Sequence, residues 1–193
     1  MAIALLVTGL AVSSAMSQGG WRTDKSHSNV MFSITHLVVS EVVGNFDEWD
    51  ISISSAKNDW SDAKVEATLK TASIDTDNER RDDHLKKDDF FSAEKYPEIT
   101  FVSTGFEKVG EEEYKINGNL TIRDITKPLT FDAKITGTLD DSRLGKRIGW
   151  KATAEINRFD FGLKWDRMTE AGGLVAGENV KIIVNLELIK ETT

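Results

Sequence analysis

The chain has 193 residues, no cysteine and a formal net charge of −8. This length suits a single domain that buries enough surface to fold without disulfides or a structural metal. The absence of cysteine excludes thiol catalysis, thiolate zinc sites and iron–sulfur clusters. The acidic balance argues against nucleic acid as a partner, because phosphates would be repelled. With 39% hydrophobic and 29% charged residues, the composition also excludes a disordered chain and a multi-span membrane protein.

The first segment of the chain is apolar and carries no charge. Residues 1–16 read MAIALLVTGLAVSSAM. An apolar stretch that ends in small residues is typical of a secretory signal peptide, so we expect residues 1–17 to be one and residues 18–193 to form one domain. Cleavage after Ala15 or Ser17 fits this pattern. A buried or amphipathic N-terminal helix is the alternative, but the segment has no polar face. The basic residues that usually begin a signal peptide are absent. Export predicts a periplasmic or secreted protein.

Period-two alternation of apolar and polar residues dominates the rest of the chain. In residues 30–36, Val30, Phe32, Ile34 and His36 fall on one face of an extended strand. Segments with one apolar and one polar face are typical of antiparallel sheets with one wet side. The same alternation recurs over residues 65–70, 114–123, 129–135, 150–156 and 180–188.

Turn-forming residues separate these segments. Gly110 lies in an acidic stretch, residues 140–142 with Gly145 mark a second turn, and Gly172-Gly173 mark a third. About eight strands with short connections predict an all-β fold, either a closed antiparallel barrel or a sandwich.

One segment departs from the strand pattern. Thr76 and Glu79 are spaced as a capping box, in which threonine caps a helix whose third residue is glutamate. Residues 80–91, RRDDHLKKDDFF, follow with good helix formers. We therefore predict a short helix within residues 76–92, packed over one end of the sheet.

The residues that could carry chemistry form no recognised catalytic or metal motif. The three histidines, His27, His36 and His84, lack the spacing of a zinc signature. No nucleophile elbow, P-loop or dinucleotide fingerprint is present. We therefore expect no catalytic residue, no metal and no cofactor. The alternative is an enzyme that uses His84 with Asp82 or Asp83 as an acid–base pair.

The residues on the apolar strand faces allow two interpretations of the interior, a ligand cavity or a filled core. Small residues such as Ala67, Ala133 and Ala152 lie on these faces beside large ones. An eight-stranded barrel can fill its interior with side chains or hold one small ligand. Small side chains leave volume for a ligand, but tapering barrels also alternate small and large residues to fill a core. The pattern alone leaves both interpretations open.

Short motifs recur along the chain in a fixed order. They are WRTDKSHSNVMF (21–32), VGNF (43–46), SIDT (73–76), RDDHL (81–85), DFF (89–91), YPEITF (96–101), GNLTI (118–122) and INRFDFG (156–162). Together they resemble the YceI-like family over essentially residues 21–187. One departure is Asp124, which stands where the family usually has glycine in a turn.

The resemblance implies an extended, eight-stranded, lipocalin-like antiparallel β-barrel that is periplasmic or secreted. It also implies non-catalytic binding, storage or transport of a polyisoprenoid or similar long-chain amphiphilic lipid inside the barrel. The apolar pattern agrees, because each buried CH₂ group contributes about 0.8 kcal/mol without any catalytic group. Sheet edges and an amphipathic mouth would also allow a homodimer.

Alternation, and not the resemblance, selects the residues expected to touch the lipid. We expect Arg81 and His84, on the helical segment, to form the polar end of the tunnel. A register shift of one residue would exchange the two faces of a strand. The expected apolar lining is Phe32, Ile34, Phe101, Leu120, Phe131, Trp150, Ile156, Phe161 and Ile182.

Overall fold

The computed structural model describes residues 20–170 and 172–191, which form one curled antiparallel sheet with one short helix. The predicted signal peptide, residues 1–17, lies outside the described residues. Helix α1 is Glu79–Leu85, and 3-10 turns lie at Lys25–His27, Thr71–Ser73 and Arg158–Phe161. The strands are β1 (Trp21–Thr23), β2 (Asn29–His36), β3 (Ser40–Phe46), β4 (Trp49–Ser54), β5 (Lys64–Lys70), β6 (Ile74–Asp75), β7 (Glu98–Lys108), β8 (Glu113–Ile122), β9 (Ile125–Asp141), β10 (Gly145–Asn157) and β11 (Ala176–Lys190).

The strand order explains how the sheet curls around an interior. Along the sheet the order is β4-β5-β7-β8-β9-β10-β11-β2-β3-β6, and β1 pairs with the end of β11. Only Asp47 and Glu48 separate β3 from β4, so the chain itself links the two sides of the sheet. If β1 with β2, and β3 with β4, are each counted as one interrupted strand, the predicted eight long strands are present. The predicted all-β, lipocalin-like antiparallel fold is confirmed.

The predicted alternation matches the burial of the strands. In β8, Tyr114, Ile116, Leu120 and Ile122 are buried, whereas Lys115 between them is exposed. Antiparallel pairing brings such residues together, and Leu120 lies opposite Phe101 of β7. Because side chains alternate between the two faces, this register sends the apolar residues of neighbouring strands into one interior.

The helix lies where the sequence predicts it, but its predicted cap is wrong. The N-cap is Asn78, whose side chain accepts a hydrogen bond from the backbone N–H of Arg81 at 3.0 Å. Thr76 precedes Asp77, which has a left-handed φ of 57°, so the helix cannot continue back to Thr76. The Thr76 hydroxyl instead donates to the carboxylate of Asp82.

The two ends of the curled sheet differ in chemistry. One end, here called the closed end, is packed with aromatic rings at centroid separations of 5.1–5.8 Å. The other end, here called the mouth, is covered by α1, residues 86–97 and the 3-10 turn Arg158–Phe161. The rings of the closed end belong to Trp21, Trp60, Phe106, Tyr114 and Trp150.

Within the described part of the chain, no helix is long and apolar enough to cross a membrane.

The close packing of β7 on β8 depends on the absence of a side chain at Gly118. A Cβ there would collide with the Phe101 ring and would lie 2.6 Å from the Val102 carbonyl oxygen. Because the backbone oxygen cannot move aside cheaply, we predict that Gly118→Ala lowers the free energy of unfolding by about 1–3 kcal/mol. Urea denaturation measures this loss. Gly137→Ala is the matched control, since nothing lies within 4 Å of its Cβ position; equal losses for both variants would contradict the prediction.

Candidate functional site

The interior of the curled sheet contains a cavity of about 330 Å³. This volume lies in the range of small-molecule sites in proteins. Most of the residues that line the cavity are apolar, and they come from strands all around the sheet. Of the two interpretations that the sequence leaves open, the structure therefore favours a cavity over a filled core.

Ten of the eleven predicted site residues line this cavity. The two polar ones, Arg81 and His84, lie at the mouth. That any of them contacts a ligand stays a prediction. The ten are Phe32, Ile34, Arg81, His84, Phe101, Leu120, Phe131, Trp150, Ile156 and Ile182.

Phe161 is the predicted lining residue that the structure places elsewhere. Its side chain is only 3% exposed, but it packs within the 3-10 turn Arg158–Phe161 and is not part of the cavity wall. Strand β10 ends at Asn157, whose side chain accepts a hydrogen bond from the backbone N–H of Phe159 at 3.0 Å. Period-two alternation holds only in extended backbone, so the pattern could not be carried past this turn.

Three alanines are among the residues that line the cavity. Ala133 on β9 lies directly opposite Ala152 on β10, and Ala152 lies opposite Val184 on β11. Ala67 on β5 faces Phe101 on β7 in the register. All three alanines line the cavity. Larger side chains at these positions would fill the space that a ligand chain needs.

The aromatic rings of the closed end seal the cavity at its deepest point. The rings of Trp60 and Trp150 meet edge to face, with centroids 5.2 Å apart, and both line the cavity. The indole N–H of Trp150 is buried and has no hydrogen-bond partner among the described residues. Sequence alternation identifies Trp150 but not Trp60, because Trp60 lies outside the strands and has a left-handed φ of 61°.

An ion-pair network ties the strands together behind these rings. Arg147 on β10 pairs with Asp24 and with Glu187 on β11. Hydrogen bonds from Ser26 and His27, with Arg147 beside them, hold the pKa of Asp24 well below its usual range. The side-chain atoms of Asp24, His27 and Glu187 that could coordinate a metal ion lie within 4.8 Å of one another. The guanidinium of Arg147 already supplies positive charge to both carboxylates, so the cluster is explained as a salt-bridge network.

At the mouth, Arg81 is held in place by Thr76, which lies three residues before the first residue of its helix. Its Nε donates to the Thr76 hydroxyl and its guanidinium Nη2 donates to the Thr76 carbonyl, both at 2.6 Å. The Thr76 hydroxyl in turn donates to Asp82, which is buried. This chain of hydrogen bonds fixes the half-buried guanidinium of Arg81 at the rim of an apolar cavity.

His84 pairs with a carboxylate that the sequence did not suggest. Its Nε2 lies 2.6 Å from Asp89 Oδ2, and its ring meets those of Phe90 and Trp165 edge to face at 5.0 and 5.8 Å. The predicted pairing of His84 with Asp82 or Asp83 is therefore not formed, because Asp82 is engaged by Thr76. The residues between Leu85 and Phe90 turn back, which brings Asp89 under the imidazole.

Arg158 is the mouth residue that sequence reasoning missed. Its side chain is only 2% exposed and it donates to the carbonyls of Gly177, Leu163 and Ala176 at 2.7, 2.7 and 3.1 Å. Among the described residues no carboxylate lies within ion-pair distance of it. Burial lowers the pKa of Arg158, and the carboxylates of Asp166 and Glu178 oppose that shift. An arginine that follows an apolar strand gives no periodic signal, so alternation could not identify it.

These contacts give the cavity one polar end. Arg81, His84 and Arg158 all line its mouth, and the opposite end is aromatic. Such an arrangement can hold an extended apolar chain by burial and a polar group at the rim by hydrogen bonds.

Comparison with known families gives a match over nearly the whole described chain. A family model for the YceI-like domain matches residues 21–188. The UPF0312 protein SAS2572 of Staphylococcus aureus strain MSSA476 is 38% identical over 165 residues, which cover 85% of this chain and 94% of that protein.

Several solved structures are also similar to this chain. The Campylobacter jejuni YCEI protein is 32% identical with a TM-score of 0.70, and the match covers 82% of this chain and 91% of that one. Burkholderia cenocepacia BcnA is 20% identical with a TM-score of 0.73, covering 86% and 99%. A polyisoprenoid binding domain from Saccharophagus degradans is 16% identical with a TM-score of 0.66, covering 90% and 100%. The latter two similarities establish the fold alone.

Arg158 holds the segment between the last 3-10 turn and β11, so its removal should loosen the mouth. We predict that Arg158→Met lowers the free energy of unfolding by about 2–4 kcal/mol, because three carbonyls lose a charged donor. Urea denaturation measures this loss, and hydrogen exchange should speed up within residues 163–177. Arg167→Met, at an exposed arginine of the same segment, should change neither; an equally stable Arg158→Met protein would disprove the anchoring role.

Proposed function

The chain belongs to the YceI-like family, and from this premise we propose that it binds a polyisoprenoid or similar long-chain amphiphilic lipid inside its sheet, without catalysing a reaction on it. The observation that carries the proposal is the largely apolar cavity of about 330 Å³ with the charged or titratable side chains of Arg81 and His84 at its mouth. The polyisoprenoid binding domain from Saccharophagus degradans, which has the same fold, supports this choice of ligand class.

The chemistry of the wall favours a hydrocarbon chain. Each buried CH₂ group contributes about 0.8 kcal/mol, so a long chain gains affinity from burial alone. Rings such as Phe101 and Phe131, with centroids 5.1 Å apart, offer apolar surface to such a chain. The alanines of β5, β9 and β10 leave the space that the chain occupies.

The two ends of the cavity set the orientation of the ligand. The closed end offers the rings of Trp60 and Trp150 to the tail. The mouth offers the half-buried guanidinium group of Arg81 and the imidazole of His84. A head group that accepts hydrogen bonds fits these donors, so we place the head at the mouth and the tail at the tryptophans.

The polar side chains of the mouth support binding better than catalysis. His84 is paired with Asp89, and its ring meets those of Phe90 and Trp165 edge to face. Asp82 accepts two hydrogen bonds from Thr76. These partners fix the position of each group, and His84 pairs with neither Asp82 nor Asp83, the two partners that the enzymatic alternative required.

We further propose that the protein stores or transports its lipid in the cell envelope, as a periplasmic or secreted protein. The apolar, uncharged residues 1–16 support export. A water-insoluble lipid outside the cytoplasm needs a carrier that hides its chain from water, and the cavity suits this role.

Extraction of the natively purified protein tests the ligand class. Protein purified without detergent from an isoprenoid-producing host should release a long-chain lipid into organic solvent, with members that differ by isoprene units in the mass spectrum. Protein that is denatured, washed with solvent and refolded provides the blank. Recovery of no lipid from native protein would contradict the proposal.

A ring placed inside the cavity should exclude the lipid. We predict that Ala152→Phe lowers the lipid recovered per protein roughly tenfold, because the new ring occupies the middle of the cavity. Ala72→Phe adds the same ring at an exposed site and should leave recovery unchanged. The midpoint of thermal unfolding, measured on both, shows that each variant is folded. Undiminished lipid in Ala152→Phe would show that the ligand lies elsewhere.

A further inference from the structure

The turn between β2 and β3 exposes three consecutive apolar side chains. Leu37, Val38 and Val39 are 41%, 72% and 84% exposed. Met168, in the segment beside them, is 55% exposed. Single exposed apolar residues are common on proteins, but an uninterrupted apolar turn is the kind of surface that marks an interaction site. We call Leu37, Val38, Val39 and Met168 the lip.

The backbone of this turn is unfavourable for the residues that occupy it. Leu37 and Val38 have φ angles of 52° and 64°, and the N–H of Val39 donates to the carbonyl of His36 at 3.1 Å. Two successive positive φ angles are the pattern of a type I′ turn, which strongly favours Asn-Gly. A β-branched valine in this conformation is strained. Stability alone would therefore select other residues here, which points to a role for the apolar side chains.

The lip is continuous with the mouth of the cavity. The N–H of Leu37 donates to the carbonyl of Val175 at 2.9 Å. Residues on both sides of this contact, among them His36, Val42 and Val175, line the cavity. Neither residues 37–40 nor residues 172–177 contain a charged side chain. An apolar surface thus runs from the cavity wall to the exposed turn, with Glu41, Arg167 and Glu170 as the charged residues next to it in sequence.

We propose that the lip inserts into the surface of a lipid bilayer and brings the mouth of the cavity against it. Leu and Val side chains enter the acyl region, and the cavity then opens towards lipid instead of water. The lack of charge in the lip and the net charge of −8 on the chain favour neutral over anionic head groups. That lipid passes between bilayer and cavity rests on the proposed function; the insertion itself rests on the lip alone.

Site-specific fluorescence tests the insertion. The chain has no cysteine, so Val39→Cys in the full chain can be labelled uniquely with an environment-sensitive fluorophore. The matched control is Leu144→Cys, because Leu144 is 49% exposed in the β9–β10 turn at the closed end. With phosphatidylcholine vesicles, emission should shift to the blue at residue 39 and stay unchanged at residue 144. No shift at residue 39, or equal shifts at both sites, would overturn the proposal.

A second variant separates loss of insertion from loss of fold. Leu37→Asn with Val38→Gly supplies the residues that the turn prefers, so the thermal midpoint should rise by about 2–4 °C. Partition of the labelled chain into phosphatidylcholine vesicles should nevertheless fall roughly tenfold or more, since two apolar side chains are lost. Residues 1–16 are the same in every variant, so differences between variants report on the turn. Unchanged partition of the double variant would overturn the proposal.

Electrostatic binding and self-association would each give a different signal from insertion. Partition that rises when phosphatidylglycerol replaces part of the phosphatidylcholine, and falls with salt, would show electrostatic binding and overturn the proposal. A blue shift at residue 39 that occurs without vesicles and grows with protein concentration would show that a second copy covers the lip, with the same consequence. Failure of the proposed function is seen separately, since Ala152→Phe should lose lipid yet keep the full vesicle signal at residue 39.

Discussion

The long strands of the curled sheet send alternate side chains into one largely apolar interior, and this constraint shapes the rest of the molecule. Apolar residues must occupy those positions, because an unpaired polar group there would lose its hydrogen bonds to water. Large rings alone would fill the space. Alanines at positions 67, 133 and 152 leave volume beside larger aliphatic and aromatic side chains, around an interior of about 330 Å³.

Different contacts stabilise the two ends of the sheet. At the closed end, tryptophan rings seal the cavity, and the pairs of Arg147 with Asp24 and Glu187 hold β10, β11 and the start of the chain together. At the mouth, Arg158 directs its donors to the backbone carbonyls of Leu163 and of Ala176 and Gly177 at the start of β11. A buried cation used in this way ties the irregular residue after the last 3-10 turn to the first residues of the last strand. The cavity thus has an aromatic floor and a rim that includes α1 and irregular segments.

The sequence predicts much of this architecture because the alternation of apolar and polar residues can be seen in each short segment. The same alternation determines which side chains face the interior of the sheet. Residues such as Phe101, Leu120 and Phe131 are identified by spacing alone, since in a strand every second residue shares a face. The same rule fails where the backbone is not extended, as at Phe161 in its 3-10 turn. It also misses Trp60 and Arg158, which reach the cavity from irregular segments. The pairing of His84 with Asp89, and the cap at Asn78 in place of Thr76, depend on how the chain turns around Asp77 and Phe90. No pattern of residue types encodes those turns.

A crystal structure of natively purified protein tests most directly whether the cavity holds a lipid chain. A bound lipid predicts continuous, unbranched or methyl-branched electron density that runs from the mouth beside Arg81 and Arg158 to the rings of Trp60 and Trp150. Ordered water throughout the interior, or side chains collapsed into it, would contradict lipid binding in the cavity.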